Sequence, residues 1–595
     1  MGRHNLSRLL GDHAEEFDPG YGPGAGPHAA GYAAPPPPRR RRRRALRTPL
    51  AVIGALAVIG AGMVILRSVA ADADGCSSSS GIRLTVAADP AVAPAISDIG
   101  ARWTASRPEV RGECVRVEVV SKASHDIAEG IATFAGGWVD VAAKPAPTPS
   151  ESDLPVVWIP DSSYWIGRVR GVNREAFEGT VASVASSPVV LAVPENVARG
   201  MGAQPDKPLD MATLKRLSLD PSGKAPLKLG LVEPRRDTAG MVGTMVLADA
   251  VVESEKDLPN LVFAYRSIGA QVNDLQALWQ AFGKGVTGAP VSEQALLTYN
   301  ASASGASAPM AAVGIADVAS LDFPYAVRSQ QQLNVQTAAA AFREVLTSGQ
   351  YNTVLAQHRL RSADGKAASG FPTGHGVTTT AVHVQPLSDM AKVQSALRVW
   401  VAARTPSRVV AMVDATSSMG LQLGSGKTRM QVMKEAAISG LRLFTDESEV
   451  GLWGFAGPGH APMVPLEQLG KPGHREQLAG RMTGASPQPT DVTPLYQSIL
   501  AGYQLLLDGY KPELSNTLVV FTDGQENTGK SLRDVQRELE ILADVTRPIR
   551  VVLLGIGPDI QLADLEGIAR TTGGVAFQVS TPDEMQGIFL RALLA

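Results

Sequence analysis

Apolar runs alternate with amphipathic stretches along most of the chain, starting near residue 82. Strand-like runs in the first half are "RLTVAA", "VRVEVV", "VDVAA", "VVWIP", "PVVLAVP", "LKLGLV" and "MAAVGIA". Helix-like stretches lie between them at residues 93–106, 127–134, 241–250 and 335–347. Strands that alternate with helices predict an α/β domain with mostly parallel strands, which we place at residues 81–370.

The alternation stops and then restarts. The stretch "SADGKAASGFPTGHG" has the composition of a linker, and we assign residues 371–405 to a linker and one helix. From residue 406 to residue 595, the runs "VVAMV", "VGLWGF", "TLVVF", "VVLLGIG" and "VAFQV" are again separated by helical stretches. The pattern therefore predicts a second α/β domain, and 595 residues are too many for one hydrophobic core.

The first 80 residues follow a different pattern. Residues 1–48 are rich in Gly, Pro and Ala, include a run of six arginines, and are expected to be disordered in the cytoplasm. Residues 49–66 carry no charge and come close to the ~20 residues that span a bilayer, while residues 67–80 form a polar linker. Arginines before the span place the N-terminus inside and the later domains outside a cell membrane crossed once. A cleaved signal peptide is the alternative.

The charge distribution bears on the possible partners. Residues 1–48 hold nine Arg and four acidic residues, a charge of +5, so the remaining chain carries −2 − 5 = −7. A mildly acidic bulk argues against nucleic-acid binding, and the arginines suit the membrane surface. The sequence also lacks a phosphate-binding P-loop, a G-x-S-x-G elbow and an H-E-x-x-H motif, so we do not expect an enzyme.

The chain has two cysteines, Cys76 and Cys114, both on the predicted outer side, where disulfides form. Each cysteine precedes a predicted strand. If the two strands are parallel neighbours, their starts lie close enough for a bridge. We therefore predict a disulfide between Cys76 and Cys114, and two separate thiols are the alternative.

Several stretches of the first domain resemble bacterial extracellular solute-binding proteins: "LTVAADPAVAPAISDIGARW", "WVDVAAKPA", "SSPVVLAVPENVA" and "AFREVLTSGQYNTVLAQHRLRSADG". The resemblance implies a two-lobed fold like that of periplasmic binding proteins, with a ligand on helix N-termini and strand-end loops between the lobes. Polar candidates at such positions are Asp89, Ser121, Ser124, Ser187 and Thr238. They suit a small polar or anionic solute. Ordinary helix capping and a scaffold without a ligand are the alternatives.

Carboxylates and hydroxyls occur in three segments of the second domain. "RVVAMVDATSSMG" contains Asp414, Thr416 and Ser418, "TDVTPLYQSI" contains Thr493, and "TLVVFTDGQENTG" contains Asp523. Strand ends and loops of a parallel sheet meet at one edge, so we expect these side chains to lie together. Hard oxygen donors of this kind suit Mg²⁺ or Mn²⁺.

The same residues resemble the metal-ion-dependent adhesion site of the von Willebrand factor A domain. The resemblance covers residues 407–595 and extends to "VGLWGFA", "VVLLGIGPDI" and "LEGIARTTGGVAFQV". It implies a doubly wound, Rossmann-like fold and an open metal position that accepts a carboxylate from a protein partner. Thr416 stands where the family usually has serine. A fold that persists without metal is the alternative.

These features predict a membrane-anchored, extracellular binding protein that holds a protein partner through its metal site and carries a solute-binding-like domain. The alternative is the solute receptor of an ABC-type import system, with the second domain as an accessory interaction module.

Overall fold

A computed structural model describes residues 81–579, with gaps at 138–147, 206, 220–226, 255–256, 303–307, 425, 443 and 559. The predicted membrane span at 49–66, Cys76 and the strand-like run "VDVAA" lie outside the described residues. Within the described residues, no helix has both the length and the apolar character needed to cross a bilayer. The membrane anchor and the disulfide therefore stay predictions.

The first domain contains two lobes. Its strands are β1 (Gly81–Ala88), β2 (Glu109–Val110), β3 (Glu113–Ser121), β4 (Val157–Ile159), β5 (Phe177–Ser183), β6 (Ser187–Pro194), β7 (Gly230–Val232), β8 (Ala270–Val272), β9 (Ala289–Ser292), β10 (Met310–Val313), β11 (Ser320–Leu321) and β12 (Pro324–Arg328). Its helices are α1 (Ala93–Ala105), α2 (Ser124–Phe134), α3 (Ser163–Val172), α4 (Glu195–Gly200), α5 (Met211–Ser218), α6 (Thr238–Val251), α7 (Leu258–Arg266), α8 (Leu275–Phe282), α9 (Glu293–Asn300), α10 (Leu333–Thr347), α11 (Asn352–Gln357) and α12 (Met390–Arg404).

The two lobes differ in strand direction. The first lobe has a six-stranded sheet in the order β2-β3-β1-β4-β12-β5, in which β1 runs parallel to β3 and β4. In the second lobe, β6 pairs antiparallel with β9, β10 and β11, beside a parallel β7-β8 pair. The first sheet is itself mixed, since β2 pairs antiparallel with β3, and β12 pairs antiparallel with β4 and β5. The prediction of mostly parallel strands therefore fits only β3, β1 and β4 and is wrong for the second lobe, because an apolar run marks a strand but not its direction.

The parallel pairing of β1 with β3 meets the condition on which the disulfide prediction rests. Cys114 lies opposite Gly81 in the register of the two strands, and Gly81 comes shortly after Cys76 in the sequence. The two strands approach each other closely at this point, since a Cβ atom on Gly81 would come within 2.8 Å of the Cys114 carbonyl oxygen.

A buried ion pair fastens the end of the first domain to its second lobe. Arg361 is 1% exposed and donates from Nε and Nη2 to the two carboxylate oxygens of Glu293, at 2.7 and 2.9 Å. The same guanidinium donates to the carbonyl oxygens of Thr378 and Thr380, at 2.8 Å each. Residues that read as a linker in the sequence are thus held against α9.

Helix α12, predicted within the 371–405 segment, packs into the first domain. It buries Val393, Ala396, Val399 and Trp400 in that domain's core. The Trp400 ring meets Tyr265 of α7 edge-on, with 5.4 Å between the ring centroids. The rigid part of the first domain therefore extends almost to the start of the second.

The second domain is one six-stranded sheet with helices on both faces. Its strands are β13 (Ser407–Asp414), β14 (Glu449–Ala456), β15 (Gly459–Gln468), β16 (Ser515–Thr522), β17 (Arg550–Ile556) and β18 (Val575–Val579), and its helices are α13 (Arg429–Leu441), α14 (His474–Gly484), α15 (Leu495–Asp508), α16 (Leu532–Leu542) and α17 (Leu562–Arg570). The order is β15-β14-β13-β16-β17-β18, and β15 is antiparallel to β14. Side chains alternate along β13, with Val409 and Val413 in the core on one face and Val410 and Met412 in the core on the other. The predicted α/β fold is confirmed.

Candidate functional site

The central strands β13 and β16 end side by side, and polar residues follow each end. Asp414 is the last residue of β13, and Asp523 comes directly after β16, which runs parallel to β13. The two residues are 0% and 2% exposed. Both carboxylates predicted for the metal site are therefore buried at the same edge of the sheet.

Hydroxyl groups surround the Asp414 carboxylate. Thr416 donates to Asp414 Oδ1 from its backbone N–H at 3.0 Å and from Oγ1 at 2.6 Å. Thr522 Oγ1 donates to Asp414 Oδ2 at 2.9 Å. Ser418 Oγ lies 3.0 Å from Thr416 Oγ1, because a short 3₁₀ helix at Ser417–Gly420 turns the chain directly after the strand. Oxygen atoms from the first predicted segment are thus gathered at one carboxylate.

The loop that carries Thr493 is fastened to the loop after β13. The Ser417 N–H donates to the Thr490 carbonyl oxygen at 2.9 Å, and Ser417 Oγ donates to the Asp491 carboxylate. Thr493 is 1% exposed. Its backbone N–H donates to Oδ1 of Asn527 at 2.8 Å, and Asn527 belongs to the loop after β16. Three loops therefore converge, and all five residues predicted for the metal site lie in this one region.

The two carboxylates have different electrostatic surroundings. Burial raises the pKa of the Asp414 carboxyl to about 6, Thr416 opposes this by hydrogen bonding, and the charge of Asp523 adds to it. Asp523 Oδ2 is paired with Arg429 Nη1 at 2.8 Å, and Arg429 is itself 4% exposed. Sequence reasoning missed Arg429, since its place at the start of α13 gives no indication that it reaches the end of β16.

The donor set fits a hard divalent cation. It consists of carboxylate and hydroxyl oxygens, and Asp523 Oδ1 is buried without a hydrogen-bond partner. Within the part of the chain that the structure describes, no group of three or more His, Cys, Asp and Glu side chains is placed to hold a metal. A cation at this edge would accordingly depend on the hydroxyls of Thr416, Ser418 and Thr493 as well as on the two carboxylates.

In the first domain, the structure brings together three of the five ligand candidates. Asp89 Oδ2 accepts from Ser124 Oγ at 2.7 Å, and Ser124 Oγ accepts from the Asp161 N–H at 2.8 Å. Thr238 Oγ1 accepts from Trp165 Nε1 at 3.0 Å, and Thr238 and Ser124 both lie near enough to the Asp161 carboxyl to oppose the rise in its pKa. Asp161 was missed because the short strand β4 ends in "IPDSS", which reads as an ordinary turn.

Within the described residues, the other two candidates form no hydrogen bond with this cluster. Ser121 is the last residue of β3 and pairs with Ala88. Ser187 Oγ accepts from the Gln294 N–H at 3.0 Å, in the first turn of α9. Ser187 thus satisfies a free N–H at a helix start, which is the capping role left open by the sequence.

Two family models match the chain, one in each domain. Residues 84–360 match the bacterial extracellular solute-binding protein family, and residues 409–591 match the von Willebrand factor type A domain. A relative, uncharacterized protein Rv1836c of Mycobacterium tuberculosis, is 25% identical over 525 residues, which cover 82% of this chain and 73% of that protein.

Solved structures resemble each domain separately. A periplasmic thiamin binding protein has 11% identity and a TM-score of 0.38, over 56% of this chain and 98% of that one. Proximal thread matrix protein 1 from the mussel byssus, with a zinc-occupied MIDAS motif, has 19% identity and a TM-score of 0.26, over 31% of this chain and 46% of that one. This chain therefore spans less than half the length of the mussel protein. The two family models show that the chain carries a bacterial solute-binding domain at residues 84–360 and a von Willebrand factor A domain at residues 409–591.

Proposed function

We propose that this protein is a membrane-anchored, outward-facing binding protein whose second domain holds a protein partner through a divalent cation. The side chains that would hold Mg²⁺ or Mn²⁺ are Asp414, Thr416, Ser418, Thr493 and Asp523. The observation that carries the proposal is that the three loops bearing these residues are hydrogen-bonded to one another at the edge of the sheet where Asp414 and Asp523 are buried. When bound, the cation supplies a Lewis-acidic position for a carboxylate.

The charge of the site supports an anionic partner group. Two ionised carboxylates and the guanidinium of Arg429 sum to −1 − 1 + 1 = −1. A divalent cation would change this to −1 + 2 = +1. A net charge in a poorly hydrated site is unfavourable, so the loaded site would be stabilised by one more negative group. An Asp or Glu side chain of a partner meets that need.

Capture of a partner tests the proposal. We expect full-length protein on beads to retain at least one cell-envelope protein in Mg²⁺ but not in EDTA, and Asp414→Ala to lose it. Amidating the carboxyl groups of the envelope proteins should also abolish retention, because the partner's anionic group is then gone. Asp364→Asn is the matched control, since Asp364 is an exposed carboxylate of the first domain. Retention that is unchanged in EDTA or by Asp414→Ala would contradict metal-dependent binding.

The membrane part of the proposal rests on residues 39–66. Six arginines followed by eighteen uncharged residues favour one span with the N-terminus inside. Protease added to intact cells is expected to digest the two domains and to spare an epitope tag placed within residues 1–48. Recovery of the domains as a shorter, freely soluble chain would indicate cleavage instead.

A solute receptor of an ABC-type import system is the second candidate. It is favoured by the polar cluster where the two lobes of the first domain meet, around Asp89, Ser124 and Thr238. The chemistry of that cluster determines which solutes it could accept.

A further inference from the structure

We infer that the first domain binds a small organic cation, one with the N–H donors of a protonated amine or guanidinium group, at Asp89, Asp161 and Asp237. The inference concerns residues of the first domain alone and does not depend on the metal site of the second. The sequence predicted a small polar or anionic solute, whereas these carboxylates favour a positively charged one.

The three carboxylates come from both lobes. Asp89 follows β1 and Asp161 follows β4 in the first lobe, while Asp237 precedes α6 in the second. The Ser124 hydroxyl links the first two, as it donates to Asp89 Oδ2 and accepts from the Asp161 N–H. Asp237 directly precedes Thr238, whose Oγ1 accepts from Nε1 of Trp165 in the first lobe at 3.0 Å. The carboxylates therefore face a common region at the boundary between the lobes.

Two buried atoms in this region lack hydrogen-bond partners. Asp161 is 7% exposed and its Oδ1 is unsatisfied. His125, also 7% exposed, has Nδ1 at 3.4 Å from Asp126 Oδ1, so a proton on Nδ1 leaves the unsatisfied Nε2 as an acceptor. The His125 ring packs edge-on against Trp165, 5.7 Å between centroids, and Trp165 binds Thr238. Asp161 Oδ1 and His125 Nε2 are both placed to accept a hydrogen bond, so a ligand that satisfies them must carry hydrogen-bond donors.

The region has no matching positive charge within the described residues, which leave out 138–147. None of the ion pairs found there involves Asp89, Asp161 or Asp237, and Arg236, next to Asp237, pairs with Asp126 at 3.0 Å. Burial is the main cause that raises the pKa of all three carboxyls, that of Asp237 to about 6, and their mutual repulsion adds to it for Asp161 and Asp237. A cationic ligand would supply the missing charge.

The backbone N–H groups that would bind an anionic ligand already donate to carboxylates of the protein. Asp89 Oδ2 accepts from the Ser124 N–H at the start of α2, at 3.3 Å, and Asp237 Oδ2 accepts from the Gly240 N–H at the start of α6, at 2.7 Å. These helix N-termini are the groups on which an anion would bind. A cationic ligand therefore fits the region better than an anionic one.

Thermal shift and calorimetry on the full-length protein, with EDTA present throughout, test the inference. The probes are putrescine, spermidine, agmatine and L-arginine, with sulfate, phosphate and succinate as anionic counterparts. At least one cationic probe is expected to raise the melting temperature at pH 7.5, and none of the anions. Asp161→Asn keeps the shape of the side chain and should weaken that binding at least tenfold. Asp364→Asn, an exposed site, should bind like the wild type.

Binding should also strengthen as the pH rises from 5.5 to 8. A raised pKa means that the carboxyls hold protons at the lower pH, and a cation binds the ionised form, so binding releases protons. Calorimetry in two buffers of different ionisation enthalpy detects this release. Absence of stabilisation by all four cations, stabilisation by an anion, or equal affinity in Asp161→Asn would each overturn the inference. None of these results bears on the metal site, which EDTA keeps empty.

Discussion

Asp414→Ala is expected to abolish Mg²⁺ and Mn²⁺ binding to the second domain. Alanine removes one of two carboxylates, and with it the acceptor shared by Thr416 and Thr522 at 2.6 and 2.9 Å. Loss of groups that only orient metal ligands typically costs about 10–100-fold in affinity, so loss of a charged ligand that also orients its neighbours should exceed this. Isothermal titration calorimetry of the full-length protein, wild type beside variant, measures the difference.

Two matched variants make the result specific. Thr416→Ser retains the hydroxyl that contacts Asp414 and should bind the cation within a few fold of the wild type. Asp364→Asn removes an exposed carboxylate elsewhere and should change nothing. Circular dichroism should show an intact fold for Asp414→Ala, because the variant leaves the apolar side chains packed on both faces of the sheet unchanged. Equal heats for wild type and Asp414→Ala would refute the metal site.

The pH dependence of metal binding follows from the same carboxylate. With the pKa of Asp414 raised to about 6, protons compete with the cation, and affinity should fall as the pH drops through 6. Without metal, the stability of the folded domain depends on pH in the opposite direction. The folded protein holds this proton more tightly than the unfolded chain, with its pKa near 3.8, so stability is lost as the pH rises from about 4 to about 6. Saturating Mg²⁺ should restore stability above that pH.

Arg361→Met is expected to destabilise the first domain by about 3–5 kcal/mol, the range for breaking a buried ion pair from one side. Methionine fills part of the space, but it leaves the Glu293 side chain, 5% exposed, without its bidentate partner. The carbonyl oxygens of Thr378 and Thr380 also lose their donor. Urea unfolding of the wild type and the variant gives the free-energy difference.

A double variant separates lost charge pairing from lost packing. Arg361→Met with Glu293→Gln removes the uncompensated charge and should recover part of the loss. Lys366→Met, which breaks an exposed pair with Asp364 nearby in the sequence, should leave the urea midpoint unchanged. An Arg361→Met protein as stable as the wild type would mean that the ion pair with Glu293 makes no net contribution to the stability of the first domain.

The gathering of Asp414 and Asp523 at one edge of the sheet could be predicted from the sequence because it depends on strand ends. Apolar runs identified β13 and β16 as buried, and Asp414 and Asp523 follow where those runs stop. Neighbouring parallel strands then bring such residues together without any further information. Thr493 could be added because it precedes the long apolar helix α15.

Features that depend on packing between distant segments could not be predicted. Arg429 reaches Asp523 across 94 positions of sequence, and Trp165 of the first lobe reaches Thr238 of the second across 73 positions. In the sequence, Asp237 reads as a helix cap, which it also is, through Gly240. The direction of the strands around β6 is likewise set by how the chain crosses between lobes, and not by which residues are apolar.

The short connection between the domains has a mechanical consequence. Helix α12 ends at Arg404 and β13 begins at Ser407, so Thr405 and Pro406 alone separate them. Asp414 lies at the far end of β13, about 23 Å from Ser407 at ~3.3 Å per residue. A partner held at that edge and a tether at the N-terminus would pull on opposite ends of this strand. Because β14 and β16 pair with β13 along its length, both ladders would bear the tension together instead of opening one bond at a time.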